Sequence, residues 1–517
     1  MYYVRTTKTA SNATAVQIVK YKNRNKVIVK HLGSAHNSEE LDALKQIALD
    51  WIKKEYLKYQ QTFFPEEKRQ QASSSFPDKY QYLDTRYTFM YEAFDKILRL
   101  FFPVKLTDQL FLDLVIMRII QPASKLASLD LLSDMFGIQY TRGHLYESIE
   151  AFSSLKDTVE KKIIHFAKNH FKFDFSIVFY DVTTLYFESF TEDEDTLDED
   201  KNITEKGLKR DGFSKDNKSN QPQIVIGLIV NGDGFPVSYE VFEGNTFEGD
   251  TFIPAILSFK KKYKIKTLTI VADAAMISFD NVERLREHKL SYIVGARLSN
   301  MGPKFINKIS RELNLRDGAT GRVKKKCGTL VYDFSESRYK KDKREMEKQI
   351  IKAERLIEKN TDGKRTKFLS LKNTNAEKAY ELNTKLIEKT TSLLGLKGYY
   401  TNLSRKQATD KTIIDQYHSL WHVESAFRIA KSDLQMRPIY HFKKQAIESH
   451  VLICFMALAV CKYMELKTGK STKKILKLFK SITEAIIKDK LTGEIIVMRK
   501  ELPKEIEQLW KTLMLWY

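Results

Sequence analysis

Cysteine is nearly absent. Cys327, Cys454 and Cys461 are the only three in 517 residues, and no two make a Cys-x2-Cys pair. That argues against a disulfide framework and a cysteine-ligated zinc site, and fits a reducing, cytoplasmic setting. Long apolar runs are missing too. The run Val451–Cys461 falls short of the roughly 20 residues that span a bilayer, and reads as a buried helix with Cys454 and Cys461 in its core. The opening "MYYVRTTKTASNAT" has no apolar segment of the kind a secretory leader carries, so none is expected. No internal repeat is visible. Negative charge is in deficit: 66 Asp and Glu face 87 Lys and Arg, a net charge of +21. The surplus suits a polyanionic partner, nucleic acid first and an acidic membrane surface second, against the plainer reading of charge kept for solubility. What is present is a large apolar share, 42% hydrophobic and 12% aromatic, which excludes disorder. The length suits roughly two to four domains.

Along the chain, "TAVQIVKY" and "NKVIVKHLGS" read as strands, and "SEELDALKQIALDWIKKEY" as a helix with Ser38 as N-cap. Residues 1–60 thus form a small β/α region. A polar linker, "QQASSSFPDKYQ", follows. Residues 88–170 are mainly helical. There "DQLFLDLVIMRIIQPASKLASLDLLSDMFG" holds two apolar helices broken at Pro122, which fit either a helix-turn-helix reading DNA or a plain helical hairpin. The pattern then changes. "FSIVFYDVTTLYF" (175–187) is a strand; "QIVIGLIV" and "FPVSYEVF" flank an Asn-Gly-Asp-Gly turn as a β-hairpin; "DTFIPAILSFKKKY" is a helix. "TLTIVADA" is a strand ending at Asp273, "SFDNVERLREHK" a helix and "SYIVGAR" a strand. Residues 298–396 interrupt this order with a basic stretch and a long charged helix, and read as an inserted subdomain. A strand resumes at "KGYYTNL" (397–403), followed by a helix through 417–431, another over about 443–467, and a Lys-rich helical tail. The fold class is α/β, with a mixed sheet.

Two aspartates stand out. Asp181 sits inside the apolar strand "FYDVTT", where an unpaired charge is expensive. Asp273 closes "TIVADA", at the kind of strand end where ligands bind in open sheets. Either alone also fits a helix cap. Two of them together with Glu424 on a later helix suit a hard divalent ion: Mg²⁺ takes oxygen ligands, and a pair of ions about 3.5–4 Å apart supports in-line displacement at phosphorus. On a helical wheel, Glu424 and Lys431 fall within about 40° of Tyr417 on one side, and Trp421 and Arg428 within about 40° on the other. These five form one stripe, and Val423, Phe427, Ala430 and Leu434 form the apolar face. The stripe reads equally as an exposed helix face with a Glu424–Arg428 pair, or as Glu424 on a metal with Arg428 and Lys431 on phosphates. His418 and His422 lie about 100–140° away and read as surface or packing residues rather than zinc ligands.

These pieces resemble the DDE transposases of bacterial insertion sequences. Asp181, Asp273 and Glu424 come in the order of that family's triad. Tyr417, Glu424 and Lys431 match its Tyr-x2-Arg-x3-Glu-x6-Lys signature; Leu420 departs from it at the arginine, and Arg428, one turn after the glutamate, is the candidate substitute. "YDVTTLYFES", "GFSKDNKSNQPQIVIGL", "GFPVSYEVFEGNT", "VADAAMIS" and "RIAKSDLQMRPIYH" are also similar to one subgroup, so that the resemblance covers most of residues 90–465. It implies an RNase H-like catalytic core over 171–297 and 397–440, an insertion subdomain over 298–396, a helical DNA-end-binding region over 88–170 and a helical C-terminal region over 441–517. It further implies a triad holding two Mg²⁺ ions, with Mn²⁺ able to substitute, that cuts the element's ends and joins their 3′-hydroxyls to target DNA. The expected partners are double-stranded DNA and a second copy on paired ends, with no membrane; the expected place is the bacterial cytoplasm, at the nucleoid. Tyr417 and Lys431 are expected to contact DNA near the cut, and Lys215, Lys218 and Arg297 to hold phosphates unless they form an ordinary solvated face. Arg437 is expected near the active site as a further DNA contact, and His441 in a structural role. The rival readings are an RNase H-like nuclease or resolvase without strand transfer, and a non-catalytic DNA-binding derivative.

Overall fold

The computed structural model describes residues 2–10, 13–22, 25–57, 80–102, 108–216, 218, 220–276, 278–358, 366–373 and 378–514. In chain order the elements are β1 (Tyr2–Lys8), β2 (Thr14–Lys22), β3 (Asn25–Ala35), α1 (Ser38–Leu57), β4 (Tyr80–Arg86), α2 (Thr88–Phe101), α3 (Gln109–Ile120), α4 (Lys125–Phe136), α5 (Arg142–Ala151) and α6 (Lys156–Phe171). Next come β5 (Ile177–Tyr186), β6 (Thr196–Leu197), β7 (Ile203–Glu205), β8 (Gln223–Val230), β9 (Pro236–Glu243), α7 (Glu248–Lys262), β10 (Thr269–Ala272), α8 (Phe279–Glu287) and β11 (Ser291–Ala296). The remainder is α9 (Pro303–Leu313), β12 (Thr320–Lys325), β13 (Gly328–Phe334), α10 (Glu336–Glu358), β14 (Leu369–Asn373), β15 (Lys378–Leu382), α11 (Thr384–Thr391), β16 (Leu396–Thr401), α12 (Asp410–His418) and α13 (Trp421–Arg428). The chain closes with α14 (Lys444–Thr468), α15 (Thr472–Lys480), β17 (Glu484–Asp489), β18 (Ile495–Arg499) and α16 (Lys504–Met514). Most of the stretch expected as a polar linker lies outside the described residues; its Tyr80 and Gln81 begin β4.

The chain forms two compact units. The first comprises Met1–Ala93, Leu131–Ile138 and Lys473–Lys511. In it β1, β2 and β3 make an antiparallel sheet, and α1 covers one face through Leu44 and Ala48 against Val16, Ile18 and Leu32. The cap of α1 is Asn37 rather than Ser38. The Asn37 Oδ1 accepts from the Glu40 N–H at 2.8 Å, and the Glu40 carboxylate reaches back to accept from the His36 N–H at 2.8 Å. This is the reciprocal logic of a capping box. A second sheet has the order β18-β17-β4. The tail expected to be wholly helical therefore contains a hairpin: "EAIIKD" and "IIVMR" carry β-branched runs that outweigh the surrounding lysines.

The second unit comprises Phe94–Asp130, Gln139–Thr472 and Thr512–Tyr517. Its mixed sheet has the order β12-β13-β16-β11-β10-β5-β8-β9, in which β10 runs parallel to β5 and β11 and the other pairs are antiparallel. The expected order of strands, hairpin and helices from 175 to 297 is what forms. Because side chains alternate along a strand, Tyr180 and Asp181 take opposite faces. Tyr180 meets α7, donating to Thr251 Oγ1 at 2.8 Å and packing on Phe252. Asp181 looks toward the other layer, where α13 lies on β5 and β8.

Three expectations change here. The strands β12 and β13 arise within 298–396 but extend the main sheet beside β16, with Ile309, Leu330, Tyr332 and Leu396 in one core cluster. The expected insertion is therefore partly built into the sheet. The apolar run at Val451–Cys461 is the middle of α14, 25 residues long and apolar enough by composition to cross a membrane. Burial rather than length makes it a core helix: 94% of its apolar window is enclosed by the protein, against α3, α5, α6 and β9. Finally, the helices around Pro122 are α3 and α4, but α3 is buried from Leu110 to Ile119, while α4 exposes Asp130 and Asp134 and buries its lysine, Lys125. Both helices pack into the protein through these buried positions.

Candidate active site

Register brings the two aspartates together. Tyr180 on β5 lies beside Ala272 on β10 in the parallel pair, so Asp181 and Asp273, each one residue further, stand at neighbouring positions on the same face. The helix expected as continuous through 417–431 is instead broken. α12 ends at His418, a turn passes through Ser419 and Leu420, α13 runs to Arg428, and one π-helical turn covers Ile429–Asp433. The single stripe therefore does not form. Tyr417 turns inward, is buried, and donates its hydroxyl to Asp273 Oδ1 at 3.1 Å. Glu424 and Trp421 stay exposed. Tyr417 fits because its neighbour on β11 is Gly295, where a Cβ would collide with the tyrosine hydroxyl.

The three carboxylates act on one another. Burial pushes the Asp181 carboxyl up to about 6, and the charges of Asp273 and Glu424 add to the rise, against the opposing pull of the Val182 N–H, which donates to Asp181 Oδ1 at 2.8 Å, and of Lys215. Burial, then Asp273, raises the Tyr417 phenol, keeping it a donor at neutral pH. The donor chemistry fits a hard divalent cation: carboxylate oxygens, no His or Cys, and a surplus of negative charge felt at Asp181. Among the described residues, no three His, Cys, Asp or Glu side chains lie close enough together to hold an ion as they stand.

The basic residues divide into two groups. Lys215, expected on phosphate, instead donates to the Val182 carbonyl at 2.7 Å and pairs with Glu248 at 2.7 Å, beside Asp181. Lys431 and Arg437 both pair with Asp216, Lys431 at 3.4 Å, in a largely buried triad. Burial lowers the Lys431 ammonium, and Asp216 opposes that. These three cations are thus already engaged within the protein. Arg297 and Arg428 are exposed and, among the described residues, unpaired with any carboxylate; Lys218 is exposed with its ammonium over the Tyr186 ring at 5.6 Å. His418 lies against Arg338 and Tyr399, and His422 stacks on Trp421; among the described residues neither belongs to a group of three or more His, Cys, Asp or Glu that could hold a metal. Leu420, at the arginine position of the signature, is buried in the turn.

Sequence reasoning missed Lys397. It stands on β16 with its ammonium 4.7 Å from the Tyr417 ring; burial lowers it, and the charges of Asp273 and Glu424 act in the opposite direction. Strand alternation could have placed it with Tyr399 on one face, but nothing in sequence says that this face meets Tyr417. Asp216 and Glu248, the acids that engage the lysines, were also missed; both follow turns whose paths are set by tertiary packing.

Residues 172–460, just over half of the chain, match a family model described as "Transposase DDE domain". Among solved structures, a piggyBac transposase synaptic complex with hairpin DNA is similar at 10% identity and a TM-score of 0.35, covering 74% of this chain and 78% of that one. A Mos1 transposase paired-end complex with the left transposon end is similar at 14% identity and a TM-score of 0.16, covering 48% of this chain and 66% of that one. No curated protein matches the sequence.

Proposed function

This chain belongs to the transposase DDE-domain family, and on that premise we propose that Asp181, Asp273 and Glu424 are the carboxylates with which it cuts the ends of its own element and joins them to target DNA. The observation that carries this reading is the adjacency of Asp181 and Asp273 on parallel strands, with the charge of Glu424 acting on the same point. Divalent cations, Mg²⁺ first, would be held by these three side chains and supply stabilisation of charge at the reacting phosphate. Around them Tyr417 fixes the Asp273 carboxylate, and Lys215 ties the backbone after Asp181 to Glu248. In the first step water adds to phosphorus and the strand's 3′-oxygen leaves with a proton as a 3′-hydroxyl; in the second that 3′-hydroxyl adds to a target phosphate, gives up its proton, and the target strand's own 3′-oxygen leaves. Arg297, Arg428 and Lys218 are exposed cations that, among the described residues, pair with no carboxylate, and they would meet the DNA backbone. The working assembly is a pair of chains on paired ends of an insertion sequence, in the bacterial cytoplasm.

The test is Mg²⁺-dependent cleavage of DNA carrying the element's ends. Asp181→Asn, Asp273→Asn and Glu424→Gln are each expected to abolish cleavage while end binding, read by gel shift, survives. Full cleavage by any of the three would sink the assignment. A strand-transfer assay on pre-cut ends separates a transposase from a nuclease that only cuts.

A further inference from the structure

A second site lies away from the carboxylates, within the same unit. A cavity of about 910 Å³ opens between the last turn of α3, the first turn of α4, α5 and the segment leading into α14. Its size is that of a small-ligand pocket, roughly 300–1,000 Å³, and far too small for a duplex. Six basic side chains line it: Arg118, Lys125, Arg437, His441, Lys443 and His450. Arg118, Lys125 and His450 are each about 95% buried. Among the described residues no carboxylate pairs with Arg118 or Lys125, and Glu150, which also lines the cavity, is taken by Lys443. A buried guanidinium without a counter-charge is costly unless something else supplies the negative charge. Arg118 donates to the Ala123 carbonyl at 2.9 Å, which leaves other donors of its fork for the cavity. His450 holds Lys125: its Nε2 lies 2.9 Å from the Met436 carbonyl and so carries the proton, leaving Nδ1 to accept from the Lys125 Nζ at 3.1 Å. His441 is pushed down to about 4 by burial, with Lys125 and Arg118 adding to the fall, and burial, then Arg118, pushes the Lys125 ammonium down as well.

The rim is aromatic. Tyr146, Tyr440 and Phe442 line the cavity and are 64%, 60% and 69% exposed. The position relative to the carboxylates is fixed by backbone pairing: Ile439 bridges to Phe187, just past the end of β5. Phe187 lies six residue steps along the strand from Asp181, about 20 Å, which sets this end of the cavity apart from the carboxylates. Arg437 both lines the cavity and pairs with Asp216, linking the two places.

We propose that this cavity binds one unpaired nucleotide of the DNA strand, with Arg118 and Lys125 on its phosphate and Tyr440 and Phe442 stacking its base. The inference rests on the DNA-processing reading above. A phosphate alone would use the cations but leave the aromatic rim idle; a nucleotide uses both, as single-strand binders do.

The experiment uses the full chain and fluorescence anisotropy with two probes, a blunt duplex and the same duplex with a one-nucleotide overhang. Wild type is expected to prefer the overhang by about tenfold, the scale of one stacked base. The double variant Tyr440→Ala/Phe442→Ala, altered only at exposed side chains, should lose that preference and keep its affinity for the blunt probe. Lys125→Gln should lose it as well, and a nucleoside monophosphate should displace the overhang better than inorganic phosphate does. An unchanged preference in the aromatic double variant overturns the proposal and leaves the active-site reading standing. Equal displacement by an acidic peptide also overturns it, in favour of a protein ligand. Failure to bind either probe would overturn the DNA-processing reading together with it.

Discussion

Asp181 pairs function with a stability cost that can be measured directly. Its carboxyl is raised to about 6 from an ordinary value of 3.8, chiefly by burial. The folded chain therefore holds a proton there that the unfolded chain releases, and the stability it confers is lost as pH rises from about 4 through 6. At roughly 1.4 kcal/mol per pKa unit, the ionised side chain costs about 3 kcal/mol at neutral pH. In a chelating buffer, Asp181→Asn should melt higher than wild type above pH 6, with the gap closing toward pH 4; calorimetry at several pH values reads it. A gap that is absent, or equally wide at pH 4, would remove burial as the cause. At Tyr417 the argument is about position instead. Its hydroxyl donates to Asp273 Oδ1, and a hydrogen bond to a charged group is worth about 1.5–3 kcal/mol. Tyr417→Phe should slow cleavage by roughly tenfold to a hundredfold and leave DNA affinity unchanged; a loss of affinity with normal turnover would return Tyr417 to the DNA surface.

At the level of elements, the break between α12 and α13 decides which residues face the site. It also explains Leu420. In a continuous helix an arginine at this position would share a side with Tyr417 and reach outward, but in the turn Leu420 is buried at 5% exposure. Leu420→Arg should therefore lower the melting temperature rather than improve DNA binding, because it would place a guanidinium at a buried position; a stable variant with tighter binding would show that the turn can open. The strands β5, β8, β9, β10 and β11 were legible because each is an apolar run bounded by turn residues, and with them the place of Asp181 within one strand and of Asp273 at the end of another; the pairing that makes the two neighbours was not. The break at Ser419 was not legible, since "YHSLWHVESAF" keeps a helical period and the turn is imposed by packing of Tyr417 on β11 and Val423 on the sheet. Lys215, Lys431 and Arg437 read as free cations for a related reason: the acids that hold them, Glu248 and Asp216, are distant in sequence or sit in a turn, and only the fold brings each pair together.

For the whole molecule, the 87 Lys and Arg overstate what is available to DNA, because many of these cations are already paired within the protein, as the net charge of +21 already counts. Binding to a polyanion depends on how many phosphates are neutralised, and the salt dependence counts them: log Kobs falls against log salt with a slope of about −0.9 per phosphate contact. Around the carboxylates, exposed Arg297 and Arg428 are free to make such contacts, while Lys431 is committed to Asp216. The double variant Arg297→Gln/Arg428→Gln should therefore shrink the slope by about 2, with no change in melting temperature. Lys431→Gln should behave in the opposite way, leaving the slope nearly intact and lowering stability, since it removes one cation from a largely buried triad and leaves Asp216 to Arg437 alone. Anisotropy titrations of a duplex across a salt series, run beside thermal melts, separate the two. If Lys431→Gln instead reduced the slope and left the melt unchanged, Lys431 would leave Asp216 when DNA binds, and the triad would be a resting arrangement of the site rather than its bound one.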